Sequence, residues 1–267
     1  MSYYIETSFD SPNSFDDTNA NETFTQCKHD RRFGIELEFN YLSDEYDVEQ
    51  FAYDTCFSGK EDCSTEGGEF VSPPLRGDTG FEEIRNACNL ADSFGWEAEH
   101  RNCGLHLHMD MNNETMADIK KIVLGYYYFE QMFLKLVSPD RLRSTYSRPV
   151  NFNRSTATKS DDMSDMARDR SRYEWLNLRA YRNHGTLEIR LLEGTQDADK
   201  IKDWINLNLC FVELMKSMTI GQITYRFGGK NTKQLYKELR HQLGADADCL
   251  ERTHQRVTAD HGDLINA

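Results

Sequence analysis

Three pairs of polar residues stand at i, i+2 inside apolar runs: Glu36 and Glu38 in RRFGIELEFNYL, His106 and His108 in CGLHLHMDM, Glu188 and Arg190 in GTLEIRLLEG. Alternation of apolar and polar residues is the period of a strand, so both members of a pair project from one face. The other face carries Ile35, Leu37, Phe39, Leu105, Leu107, Leu187, Ile189 and Leu191, which suit a core. One sheet face would then present three carboxylates, two imidazoles and a guanidinium. Oxygen-rich donor sets favour Mg²⁺ or Mn²⁺, and an arginine among them favours a phosphoryl oxygen.

Each pair also has a plain reading. Glu36 and Glu38 could be the outward face of an antiparallel sheet, the histidines could be half-exposed, and Glu188 with Arg190 could be a surface ion pair. Cys103, His106 and His108 form a C-x2-H-x-H cluster, but that spacing is irregular for structural zinc and no second metal-binding pair follows. No GxxxxGK[ST], GxGxxG or HExxH motif occurs; Phe227-Gly228-Gly229-Lys230 lacks the leading glycine and a preceding strand. Any nucleotide would therefore be held by metals and side chains rather than by a glycine-rich cradle.

The elements that must position these pairs can be read in order. Residues 1–30 are rich in Asn, Asp, Ser and Thr without periodicity and read as a flexible acidic leader. A strand over 33–41 follows, then an acidic and mostly irregular stretch over 43–61. Gly67-Gly68 turns the chain into a short strand at 69–72, which Pro73-Pro74 ends. Periodicity predicts helices over 79–95, 114–137 (stopped by Ser138-Pro139), 197–219 and, more weakly, 231–243. Residues 140–172 are polar, arginine-rich and aperiodic, and a loop of that length inside a domain is usually functional or disordered. A pair of strands is expected over 174–193, and the end of the chain is expected to fray.

Composition bounds the rest. With 267 residues the chain can bury a full core, and 12% aromatic residues compensate for a hydrophobic content of 38%. A net charge of −14 argues against a nucleic-acid binder. The charge is uneven: residues 141–190 hold eleven Lys/Arg against six acids, which suits local handling of anions. Seven cysteines include no CxxC pair, the first residues lack the apolar core of a signal peptide, and no apolar run approaches the ~18 residues of a membrane span. The expectation is a protein of the reducing cytosol with neither nucleic acid nor membrane as partner.

With those residues assembled, the chain resembles the amidoligase family of carboxylate–amine ligases, a glutamine synthetase-like group, over most of residues 31–218. The resemblance rests on four blocks in order: FGIELEF, EDCSTEGGEFVSPPL, CGLHLHMDM and WLNLRAYRNHGTLEIRLLEGTQDADKIKDWINL. It implies an α+β fold, a glutamine synthetase-like catalytic domain whose curved antiparallel sheet forms a funnel with helices packed outside. The catalytic domain would span 31–245, between the leader and a C-terminal tail at 246–267. The resemblance further implies metal ligation by Glu36, Glu38, Glu69, His106 and Glu188, with Asp62 (or Glu61) as a further ligand. His108 would approach nucleotide phosphates and Arg190 the transferring phosphate, so Glu36, Glu188 and Arg190 are the catalytic candidates. Arg179 and Arg182 would hold phosphates or the acid substrate. Cys63 departs from the family by standing where glycine is common, and residues 140–172 match no block and are expected to line the substrate entrance.

The implied activity is an ATP- and Mg²⁺ (or Mn²⁺)-dependent ligase that joins a carboxylate to an amine through an acyl phosphate. Its substrates would be small-molecule, peptide or amino-sugar acids and amines. Two rival expectations use the same residues: a metal-dependent hydrolase, and a non-catalytic nucleotide- or peptide-binding protein. A purely structural protein ranks behind both.

Overall fold

A computed structural model of the chain describes residues 30–40, 42, 45–60, 68–98 and 103–266. Its strands are β1 (Phe33–Phe39), β2 (Ser58–Lys60), β3 (Gly68–Val71), β4 (Gly104–Asp110), β5 (Leu176–Asn177) and β6 (Thr186–Glu193). They form one six-stranded sheet in the order β2-β3-β1-β4-β6-β5, with every pairing antiparallel. The helices are α1 (Glu45–Asp54), α2 (Gly77–Ser93), α3 (Met116–Phe133), α4 (Arg154–Lys159), α5 (Met163–Met166), α6 (Ala180–His184), α7 (Ala198–Ser217), α8 (Ile220–Phe227), α9 (Thr232–Leu243) and α10 (Asp248–His261). The fold is α+β.

The apolar residues opposite the polar pairs build the core. Ile35, Leu37, Leu105, Leu107, Leu187 and Ile189 belong to one cluster with Ile122, Val123 and Phe133 of α3 and Trp204, Ile205 and Phe211 of α7. The predicted stripe of α2, Phe81, Ile84, Cys88 and Ala91, is buried. Helix α3 begins at Thr115, whose side chain accepts the Asp118 N–H, and its last turn tightens into a 3-10 segment at Leu134–Leu136 before Pro139. Helix α7 is buried on nearly all sides because α2, α3, α9 and α10 all pack against it. Gly125 permits the α3–α7 approach: a Cβ there would lie 2.4 Å from Met215 Sδ.

Four segments differ from expectation. Residues 43–61 are not mostly irregular; they contain α1 and β2, because Phe51 anchors an otherwise acidic helix in a ring cluster with Phe57, Phe70 and Trp96. Residues 140–172 include the short helices α4 and α5, capped by Asn153 and Asp162. Helix α8 was not expected. The chain's end does not fray: α10 buries Cys249, Leu250, Thr253 and Val257, and its Arg252 and Arg256 both pair with the buried Asp203 of α7. Among the described residues no helix is long and apolar enough to cross a membrane.

Candidate functional site

Register brings the three pairs together, because residues opposite one another in an antiparallel ladder share a face. Glu36 stands opposite His106, Glu38 opposite Glu69, and His108 opposite Glu188. Lys60 stands opposite Glu69 at one end of the row and Asn177 opposite Glu188 at the other. Between β4 and β6 the register slips: Leu107 faces Ile189 but Leu105 faces Leu192, so Arg190 and Leu191 together oppose His106. Such a bulge re-aims side chains, and here it falls at Arg190.

The contacts are dense. His106 Nδ1 lies 2.6 Å from Glu36 Oε2, and His108 Nε2 lies 3.2 Å from Glu36 Oε1. Arg190 donates to Glu188 Oε1, and Asn177 Nδ2 donates to Glu188 Oε2 at 2.5 Å. Glu38 Oε2 accepts the Gly104 N–H at 2.6 Å, and Lys60 Nζ donates to Glu69 Oε1 at 3.0 Å. Thr186 Oγ1 sits 2.9 Å from His108 Nδ1. Glu38, Glu69, His106, His108 and Glu188 are all buried. His106 Nε2 has no hydrogen-bond partner although Glu38 Oε1 is 3.2 Å away. With Nδ1–H donated to Glu36, a neutral His106 turns an Nε2 lone pair toward that carboxylate, leaving two electron-pair donors with no proton between them.

Electrostatics divides the carboxylates. Burial opposes ionisation of Glu36, yet hydrogen bonds from His106 and His108 hold it well below the usual carboxylate range. Glu188 is also depressed, with Arg190 and then His108 overcoming its burial. Glu69 goes the other way: burial and then the Glu36 charge push it up to about 7. His108 is raised, because Glu188 and Glu36 outweigh burial, while burial and the His108 charge lower His184.

Most of the predicted residues converge. Glu36, Glu69, His108, Arg179, Glu188 and Arg190 line a cavity of about 590 Å³ above the sheet, and Glu38 and His106 are buried in the same strands. Donor atoms of Glu36, Glu69 and His106 lie within 4.8 Å of one another, as do those of Glu36, His108 and Glu188, so Glu36 belongs to both sets. Arg182 does not line this cavity; it lines a neighbouring one, because it sits on the exposed side of α6. Asp62 and its alternative Glu61 lie outside the described residues. Tyr146, Arg172 and Tyr173, from and just after the arginine-rich stretch, complete the wall.

Several site residues escaped the sequence reading. Asn177 and Thr186 both obey the period-two signal, in the runs Leu176-Asn177-Leu178-Arg179 and Thr186-Leu187-Glu188. Lys60 and His184 carried no pattern. Neither did Arg141, which is buried and donates to the carbonyls of Cys103 at 3.1 Å and Arg190 at 2.9 Å, tying β4 to β6 at the bulge. Gly104 makes room for it, since a Cβ there would lie 2.0 Å from Arg141 Nη2.

The arrangement can hold divalent cations between carboxylates and imidazoles, with a guanidinium beside them for an anionic oxygen. No curated protein matches the chain. Among solved structures it is similar to a bifunctional glutathione synthetase from Pasteurella multocida, with 14% identity and a TM-score of 0.44 over 86% of this chain. The aligned part is 46% of that synthetase, so the chain spans about half its length. A glutamine synthase homolog aligns with 13% identity and a TM-score of 0.39, over 89% of this chain and 69% of that one. At these scores neither likeness bears on activity. The family comparison is of another kind: a family model described as "Putative amidoligase enzyme" matches residues 42–212. That span contains Glu69, both histidines, Arg179, Arg182, Glu188 and Arg190; β1, with Glu36 and Glu38, lies before it. A match over more than half of its length makes this chain a member of the amidoligase family.

Proposed function

We propose that the protein is an ATP- and Mg²⁺-dependent carboxylate–amine ligase working through an acyl phosphate. The observation that carries the reading is the shared cluster of Glu36 with the buried Glu38, Glu69, His106 and Glu188 beside Arg190. Burial and the Glu36 charge raise Glu69, and the orphaned His106 Nε2 lacks a partner. Both features fit divalent cations held by Glu36, Glu38, Glu69, His106 and Glu188, with Asp62 as a further ligand. Glu36, common to both donor sets, suits a bridging role. Mg²⁺ or Mn²⁺ bound there would offset charge on the β- and γ-phosphates.

The chain's own residues do the rest. A carboxylate does not condense with an amine at neutral pH, because hydroxide is a poor leaving group. On this reading a carboxylate oxygen of the acid attacks the γ-phosphorus of ATP, ADP departs, and the amine then displaces phosphate to leave an amide. Phosphoryl transfer asks mainly for positioning and charge neutralisation. Arg190 is fixed by Glu188 and by the Tyr146 carbonyl at 3.3 Å, and its remaining N–H groups would serve the transferring group. His108, raised toward its cationic form, would meet the other phosphate oxygens, and Arg179 would hold the acid substrate. The reading carries with it a glutamine synthetase-like funnel with this sheet face as its inner wall, and a small-molecule, peptide or amino-sugar acid and an amine as substrates.

Thermal unfolding with ATP, Mg²⁺, both or neither tests it without knowledge of the substrates. A ligand that binds only the native state adds about 2.7 kcal/mol at a hundredfold excess over its dissociation constant. Stabilisation that needs both components and disappears in Glu36→Ala is expected. A shift with zinc or manganese alone and none with ATP would favour a metal-dependent hydrolase instead.

A further inference from the structure

A second cavity, of about 970 Å³, adjoins the first, and the two share Arg179 and Asn183. Its wall carries Arg168, Arg170, Arg179 and Arg182 against Asp162 and Asp169. Asp162 is occupied in capping α5, and Arg168 is paired with Asp165 at 3.1 Å. Among the described residues Arg170, Arg179 and Arg182 form no ion pair, and Arg170 Nε is buried without a hydrogen-bond partner. A buried guanidinium N–H left unpaired is destabilising unless a ligand takes it up. Met116, Ile119 and Leu178 give the same cavity an apolar side. Arg179 and Arg182 are exposed and Arg170 is partly buried, so in a chain of net charge −14 this wall offers an anion three guanidiniums that no described carboxylate holds.

What the wall would bind follows from where charge is needed. A nucleotide concentrates its charge in the triphosphate, which the carboxylate face and Arg190 would engage; its base and ribose are neutral and need no guanidinium. Planar guanidinium forks match carboxylates in bidentate geometry. We infer that the acid joined at this site is a chain bearing further carboxylates, which lie along Arg170, Arg179 and Arg182 while the reacting carboxylate reaches the sheet face. Calling that chain the substrate rests on the ligase reading; the affinity of the wall for a polycarboxylate does not.

The test is direct binding. Fluorescein-labelled hexaglutamate is titrated with the full chain and followed by anisotropy, with unlabelled hexaglutamine and a thymidine hexanucleotide as competitors. Hexaglutamate is expected to bind, more weakly as salt rises. Arg170→Gln and Arg182→Gln are each expected to weaken it about tenfold, the range of a charge-assisted hydrogen bond. Arg182 is exposed, so its replacement does not endanger the fold, and the unfolding midpoint of Arg170→Gln is measured alongside. Binding unchanged in both folded variants, or equal competition by hexaglutamine, would overturn the inference. Competition by the hexanucleotide as strong as by hexaglutamate would also overturn it, assigning the wall to a phosphate backbone. The titration contains no ATP or Mg²⁺, so failure of the ligase reading and failure of this one are separate results.

Discussion

Replacing Glu69 by glutamine should stabilise the metal-free protein at alkaline pH while removing its response to Mg²⁺. The Glu69 carboxyl has an ordinary value of 4.5 and is pushed up to about 7 in the fold by burial and the Glu36 charge, even with Lys60 at 3.0 Å. A carboxyl raised on folding favours its protonated form in the native state. Its stabilising contribution is therefore complete below 4.5 and is lost as pH rises through about 7. A shift of this size corresponds to about 3 kcal/mol. Glutamine imitates the protonated carboxyl at every pH, so in EDTA the variant should lie within about 1 kcal/mol of wild type at pH 5 and about 3 kcal/mol above it at pH 8.5. For a chain of this length that gap is roughly 8 °C in melting temperature.

Urea denaturation at the two pH values measures both numbers. Addition of Mg²⁺ at pH 8.5 should then reverse the order, because wild type alone gains by mass action. A variant less stable than wild type at pH 8.5 in EDTA, or a gap that is the same at both pH values, would refute the reasoning. Either result would mean that the metal-free fold does not raise Glu69 above its ordinary value.

Three further outcomes are expected. Gly104→Ala drives the Arg141 guanidinium off the carbonyls of Cys103 and Arg190 and should lower stability by about 1–3 kcal/mol in urea titration. Asn177→Ala removes the amide that holds Glu188, and should weaken the combined ATP–Mg²⁺ stabilisation by about 10–100-fold in apparent affinity with little change in the unliganded melting temperature. Arg31→Ala leaves Glu114 and Glu213, each 2.6 Å from Arg31 Nη2, with Lys216 as their remaining cationic partner, and should destabilise by about 1–3 kcal/mol at pH 7. Because Arg31 and Lys216 depress Glu213, that gap should close as pH falls below the ordinary carboxylate range, which acid-denaturation curves would show.

The polar face was legible because a strand's period is two: each pair, read alone, already places both side chains on one side. What no single strand contains is register. Glu36 meets His106 and Glu188 meets His108 only because β1 and β6 flank β4, and that order is a property of the whole sheet. Helix α1 was hidden because, among its described side chains, Phe51 alone is large and fully buried, and its partners Phe57, Phe70 and Trp96 come from three other places in the chain. Helix α8 was legible after all: Thr219 and Gln222 form a capping box, the spacing that announces a helix start. Helix α10 is polar enough to read as a frayed end, and its docking depends on Arg252 and Arg256 meeting Asp203, 49 and 53 residues away. Long-range pairings of that kind leave no local trace.

Placing Glu36 and Glu69 on neighbouring strands forces them apart in acidity, one held low by two imidazoles and the other raised by burial and by its neighbour's charge. Below about pH 7 the metal-free cluster therefore keeps a proton on Glu69. A cation entering among these donors needs the ionised carboxylate, so its binding and the loss of that proton form one linked equilibrium. Below pH 7 the cation bound at Glu69 should release close to one proton from it; well above pH 7, none. Titration calorimetry of Mg²⁺ at pH 6 in two buffers of different ionisation enthalpy measures the release, and the same pair of titrations at pH 8.5 should agree with each other. Proton release that persists at pH 8.5, or that survives in Glu69→Gln at pH 6, would assign the proton to another group and separate Glu69 from the cation.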